Sequence, residues 1–208
     1  MSLNSYFESV FCIHLKDSDR RPHIDQEFKK HQLDVMIVDA IDGRKLTDYT
    51  EKKSSDDIIM KRGDIACTLS HLKVVNMAKA ANLKNYFVFE DDVVLCDDFN
   101  KRFNQEILEM PTDWDMIYFG GNHEEPFTPI TDHIAKISKT FTTHAIGIKE
   151  TVYDALINIW GQYEKVDISI SSLHKQFNCY LFRPHLAWQK AGYSYLQGKY
   201  DNYEHLKK

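Results

Sequence analysis

Short apolar runs alternate along this chain with stretches whose apolar residues recur three and four positions apart. Val10-Phe11-Cys12-Ile13-His14-Leu15 is a continuous β-prone run that ends in the polar cluster of residues 16–21. Pro22 then opens a stretch predicted to be helical to about His31, since proline is tolerated in a first helical turn. Val35-Met36-Ile37-Val38 is a second β-rich run, stopped by Asp39-Ala40-Ile41-Asp42-Gly43, where glycine permits a turn. Residues 46–61 are polar and read as a loop. Asp64 stands as an N-cap, after which Ile65, Leu69, Leu72 and Val75 predict a helix to about Ala81. Residues 83–89 return to β character, Phe99, Phe103 and Ile107 mark the next helix, and Met116-Ile117-Tyr118-Phe119 is a fourth strand that stops at Gly120-Gly121. Val166-Asp167-Ile168 precedes a further helix predicted to reach Phe177. Strand and helix alternate, which predicts an α/β architecture with a central, mostly parallel sheet flanked by helices, because parallel neighbours need a crossover.

Nothing divides this pattern. The 208 residues contain no repeat, low-complexity tract or long Pro/Gly/Ser linker, so the expectation is a single domain over 1–208, with 196–208 as a mobile C-terminal tail. Lys and Arg total 26 against 31 Asp and Glu, a formal charge of −5, which argues against nucleic acid as a partner. No run approaches the ~20 apolar residues of a membrane span, and the first residues lack a basic flank leading into an apolar stretch. Cys12, Cys67, Cys96 and Cys179 are scattered without CxxC spacing. Together these features predict a cytoplasmic protein in a reducing compartment, with room for peripheral association at a membrane.

In such sheets ligands bind beyond the carboxyl ends of the strands. The third strand runs straight into Glu90-Asp91-Asp92. Three adjacent carboxylates repel one another, and two readings stay open: a solvated acidic turn, or a site for a hard divalent cation such as Mn²⁺ or Mg²⁺. A cation held by carboxylates with open positions suits a diphosphate, and hence a nucleotide donor. Neither GxxxxGK[ST] nor a helix-opening GxGxxG is present, which removes ATPase and dehydrogenase readings. Phosphate contacts would then fall to Arg20, Arg21 and Lys16, residues that are otherwise ordinary surface charge. Ser70 and His71 lie on the helix before the acidic strand. Trp114, between Asp113 and Asp115, serves either the site or the core. Asp167 is either an N-cap or a catalytic carboxylate.

Taken together, Phe11-Cys12-Ile13-His14-Leu15 with Asp19-Arg20-Arg21, Asp39-Ala40-Ile41-Asp42-Gly43, and Gly63-Asp64-Ile65-Ala66-Cys67-Thr68-Leu69-Ser70-His71 resemble glycosyltransferase family 25. The likeness continues in the same order through Val88-Phe89-Glu90-Asp91-Asp92-Val93, Asp113-Trp114-Asp115-Met116-Ile117-Tyr118-Phe119-Gly120 and Val166-Asp167. This resemblance to a family of lipopolysaccharide and procollagen galactosyltransferases implies a GT-A-like (Rossmann-like) fold and a UDP-sugar donor. It also implies Mn²⁺ or Mg²⁺ at the acidic motif and transfer of a hexose, galactose, with inversion. The acceptor would be a lipopolysaccharide-type glycan, a lipid-linked glycan or another hydroxylated molecule. By the same resemblance Glu90 and Asp92 are metal candidates, joined by His185 from the C-terminal stretch. Arg20, Arg21, Ala40, Asp42, Gly43, Ser70, His71 and Asp91 are donor-binding candidates. Inversion needs a base for the acceptor hydroxyl, and Asp167 is the candidate. His14, Ala66 and Tyr195 depart from the family's common asparagine, glycine and aspartate, and the Tyr195 departure raises an alternative, a catalytically silent relative that binds nucleotide-sugar or glycan.

Overall fold

The computed structural model describes residues 1–47, 60–162, 164–194 and 199–203. A short α1 (Leu3–Tyr6) leads into β1 (Val10–His14), α2 (Arg21–Lys30) and β2 (Met36–Asp39). Next come α3 (Arg62–Ala80), β3 (Asn85–Glu90), β4 (Val93–Leu95), α4 (Phe99–Glu106) and β5 (Met116–Tyr118). Short strands β6 (Asn122–His123), β7 (Thr128–Pro129), β8 (Ile134–Lys136) and β9 (Thr140–Phe141) precede the longer β10 (Ala145–Lys149). The chain continues through α5 (Tyr153–Trp160), α6 (Val166–Ser171), β11 (Cys179–Phe182), β12 (Ala187–Gln189), β13 (Gly192–Ser194) and β14 (Lys199–Asp201). No helix among the described residues is long and apolar enough to cross a membrane.

Eight strands form one sheet in the order β2-β1-β3-β10-β5-β11-β8-β7. β10 runs against both β3 and β5, and β8 against both β11 and β7, so the remaining six strands share one direction. The α/β class and the mostly parallel central sheet are therefore present. Successive side chains alternate between the two faces. Phe87 and Phe89 of β3 join Phe99, Phe103, Phe119 and Phe182 in one core, whereas Tyr86 and Val88 join Val74, Val75, Ile148 and Trp160 in the other. Every residue of β1 is buried, as a central strand covered on both faces requires.

The chain passes from β1 through α2 to β2 on one side, then through α3 to β3 on the other side of β1. The carboxyl ends of β1 and β3 thus flank the point where the strand order reverses, a place where α/β sheets characteristically leave a crevice. His14 is level with Asp39, and Ile13 with Glu90.

Several boundaries differ from the sequence pattern. α3 begins at Arg62, and Asp64 lies inside its first turn, where its carboxylate accepts the Lys61 backbone N–H at 2.8 Å. The helix expected to reach Phe177 ends at Ser171 and continues as turns. β10 was not predicted, because an antiparallel strand inserted between β3 and β5 breaks the strand–helix alternation. Its Gly147 makes room for Phe7, whose ring would lie 2.6 Å from a Cβ at that position. Most of the expected loop at 46–61, along with Tyr195 and much of the tail at 196–208, falls outside the described residues. Within that tail, β14 pairs with β13.

Candidate active site

Beyond the carboxyl ends of β1, β2 and β3 lies a cavity of about 650 Å³. It brings Arg20, Ala40, Asp42, Gly43, Ser70, His71, Glu90 and Asp91 together, along with Cys67, Arg44 and Arg62. The wall formed by the turn after β2 is fastened to α3. Ser70 Oγ accepts the Ile41 N–H at 2.9 Å and donates to the Ala66 carbonyl at 2.6 Å. Asp42 is gripped by Arg44 through Nε–Oδ1 and Nη2–Oδ2 bonds of 2.9 Å each, and this guanidinium holds its carboxyl at about 2. Arg21 is not part of the cavity; it pairs with Asp25 on the exposed face of α2. Lys16 is exposed as well.

The three carboxylates of the acidic motif have different surroundings. Glu90 Oε1 faces His71 Nε2 at 3.1 Å and accepts from Thr143 Oγ1 at 2.6 Å. Burial pushes the Glu90 carboxyl up, but the hydrogen bond and charge of His71, with the Thr143 hydroxyl, outweigh that and hold it at about 2. Asp91 is saturated: Oδ2 takes His14 Nδ1 at 2.9 Å, Leu15 N–H at 3.2 Å and Ser18 Oγ at 3.4 Å, and Oδ1 takes Arg20 Nη1 at 2.8 Å. His14 is accordingly a buried clamp on Asp91. Asp92 Oδ2 accepts from the same Arg20 nitrogen at 3.0 Å and from Gln189 Nε2 at 3.4 Å. Its other oxygen, Oδ1, is buried with no hydrogen-bond partner among the described residues. Burial pushes the Asp92 carboxyl up to about 7, Arg20 opposing and the charges of Glu90 and Asp91 adding to the rise.

An orphaned carboxylate oxygen is costly in a protein interior, and a cation is the partner such an atom lacks. The donor set therefore fits a hard divalent ion at Asp92. Arg20 Nη1 bridges Asp91 and Asp92 and offsets part of the motif's negative charge.

Asp167 sits in the first turn of α6, half-buried, its Oδ1 accepting the Ile168 N–H at 2.9 Å. Burial raises its carboxyl, and the charge of Glu90 adds to this, so the two groups lie within electrostatic reach of each other. Val166, with Lys165 at the helix cap position, starts the helix; Asp167 is not the N-cap. His185 pairs with His123, Nε2 to Nε2 at 3.1 Å, and its carbonyl accepts from Arg102 at 3.1 Å. The C-terminal stretch reaches the acidic motif through Gln189, and through Lys190 N–H bonded to the Asp92 carbonyl at 2.7 Å. Trp114 is a core residue, stacked on Tyr6 and covered by Lys149 Nζ 4.5 Å from the ring centroid. Asp113 and Asp115 bind Asn178.

Sequence pattern missed Thr143 and His144. The His144 imidazole is fully buried, donates to the Ala187 carbonyl at 3.3 Å, and is pushed down to about 4 by burial. The available signal was the polar triplet Thr142-Thr143-His144 directly before an apolar run.

The model of "Glycosyltransferase family 25 (LPS biosynthesis protein)" matches residues 7–181. The rat protein "Probable inactive glycosyltransferase 25 family member 3" is 30% identical over 135 residues, which cover 58% of this chain and 24% of that protein. Human "Procollagen galactosyltransferase 2" is 30% identical over 129 residues, covering 55% of this chain and 21% of that protein. The chain thus spans about a quarter of the length of these curated relatives. The crystal structure of A197 from STIV aligns over 96% of both chains, with 13% identity and a TM-score of 0.48.

Proposed function

The chain belongs to glycosyltransferase family 25, and from that premise we propose that it moves a hexose, galactose, from a UDP-sugar to a hydroxyl of a glycan, lipid-linked glycan or other hydroxylated acceptor, with inversion and with the help of Mn²⁺ or Mg²⁺. The observation that carries this reading is the unpartnered Asp92 Oδ1 next to a cavity at the reversal of strand order. Asp92 would hold the cation, flanked by Glu90 and Asp91. When bound, the cation supplies positive charge against the diphosphate leaving group.

The chain's own groups do the rest. The cavity has room for a nucleotide, between the Ala40–Gly43 turn on one side and Ser70 and His71 on the other. Arg20, standing between the cavity and Asp92, adds positive charge where phosphate charge develops. Asp167 takes the proton of the acceptor hydroxyl on a carboxylate oxygen as the new bond forms, and the burial that raises its affinity for protons strengthens it as a base. In this reading the protein works in the cytoplasm, and at the membrane surface when the acceptor is a lipid-linked glycan.

The test is UDP release from a panel of UDP- and GDP-sugars with Mn²⁺ or with chelator, using wild type, Asp92→Asn and Asp167→Asn. Metal-dependent release from one donor is the expected result, abolished by Asp92→Asn. Transfer to acceptor should fall about 10²–10⁴-fold in Asp167→Asn. A second reading, a silent module that binds the nucleotide sugar, is favoured by the rat relative named a "Probable inactive" family member. Binding of UDP with neither hydrolysis nor transfer, across donors and acceptors, would establish that reading instead.

A further inference from the structure

Cys67 and His71 are four residues apart on α3, one helical turn, and so project from the same face. That face meets the end of β3, and Cys67 Sγ, His71 Nε2 and a Glu90 carboxylate oxygen all lie within 4.8 Å of one another. We propose that Cys67, His71 and Glu90 form a binding site for a thiolate-preferring divalent cation, Zn²⁺, in the lining of the cavity and separate from the position at Asp92. The site stands whether or not the cavity takes a nucleotide sugar.

The geometry is close to what such an ion requires. A tetrahedral centre with Zn–N and Zn–O bonds of about 2.0–2.1 Å places nitrogen and oxygen about 3.3 Å apart, and His71 Nε2 and Glu90 Oε1 stand at 3.1 Å. The Cys67 sulfur lies within 4.8 Å of both atoms, and as the metal bonds form the thiol proton and the proton that His71 Nε2 donates to Glu90 both leave to solvent. Thr143 Oγ1, 2.6 Å from Glu90 Oε1, restrains the carboxylate. Trp160 packs against the His71 ring at 5.7 Å between centroids and restrains it. All three ligands line the cavity, so the fourth position opens into it, the arrangement of a zinc site with three protein ligands and one exchangeable one. Ligand softness separates the two positions. A sulfur–nitrogen–oxygen set selects Zn²⁺ or Co²⁺ over Mn²⁺ or Mg²⁺, whereas the hard carboxylate oxygen of Asp92 suits Mn²⁺ or Mg²⁺.

Co²⁺ titration of the chelator-treated full chain reads the site directly. A thiolate-to-cobalt charge-transfer band in the near ultraviolet is expected, displaced by Zn²⁺, absent in Cys67→Ser and retained in Asp92→Asn. The Zn²⁺ dissociation constant of Cys67→Ser should rise at least about 100-fold, since loss of an orienting partner alone costs 10–100-fold. Zn²⁺ should also protect Cys67 of the wild type from alkylation, which keeps the test independent of how the variant folds. Absence of the band, its survival in Cys67→Ser, its loss in Asp92→Asn, or alkylation of Cys67 at an unchanged rate with Zn²⁺ would each overturn the proposal.

Discussion

Replacing Asp92 with asparagine should stabilise the metal-free protein by an amount that grows with pH. In the folded chain the Asp92 carboxyl is buried, one oxygen has no partner among the described residues, and its pKa is raised from 3.8 to about 7. A carboxyl raised in the folded state favours folding fully below its unfolded pKa, and that contribution is lost as pH climbs through the folded value. Wild-type stability attributable to this group therefore falls between about pH 4 and pH 7, by roughly 4 kcal/mol in all. Asparagine has the same shape, keeps an oxygen for Arg20, and does not ionise. Its advantage over wild type should widen by roughly 2–3 kcal/mol between pH 5 and pH 8. For a chain of this size that is about 5–10 °C in Tm. Thermal or urea unfolding of both proteins with chelator, at the two pH values, measures it. A difference that does not change with pH, or one that narrows towards pH 8, would refute the idea that Asp92 is a carboxylate held at a cost for its ligand. Activity of the variant completes the picture, because the group that destabilises the empty site is the one assigned to the cation.

A Cβ at Gly120 would lie 2.1 Å from the Ala187 carbonyl oxygen, so Gly120→Ala should destabilise the protein by about 3 kcal/mol or more, read as a lower urea midpoint. His174 accepts the Thr140 N–H on Nδ1 at 3.3 Å and donates from Nε2 to Tyr118 Oη at 2.8 Å, and burial pushes it down to about 4. Its contribution is complete above pH 6.5 and lost as pH falls towards 4, roughly 3 kcal/mol, and His174→Gln should flatten that acid limb in unfolding curves. Ser70→Ala leaves the Ile41 N–H without its side-chain acceptor and should cost about 1–2 kcal/mol, with a raised donor KM because the cavity wall is released from α3. Loss of stability with unchanged KM would show that the turn after β2 does not contact the donor.

Much of the framework follows from local pattern. The apolar run at β1 and the three- and four-residue spacing on α3 specify element type because burying those residues requires those periods. The placement of Glu90-Asp91-Asp92 at a strand end, and hence at the ligand-bearing edge, follows from the same reasoning. Boundaries were less legible: Asp64 has the chemistry of an N-cap but lies inside the first turn and reaches back to the Lys61 N–H.

The sequence by itself determined which residues carry charge and which segments fold as strand or helix, because both depend on chemistry within a few positions. Only the tertiary structure decided how the three acidic residues divide their roles. Adjacent carboxylates look alike in sequence, yet His71 and Thr143 claim Glu90, His14 and Ser18 claim Asp91, and Asp92 shares Arg20 and keeps a bare oxygen. Thr143 arrives through β10, Arg20 through the loop after β1, and Gln189 through the antiparallel pairing of β12 with β4. These partners come from segments tens of residues away, joined only when the sheet closes. Hydrogen bonding and desolvation, which set each group's protonation and availability, depend on those distant neighbours and so have no signature in the local order of residues.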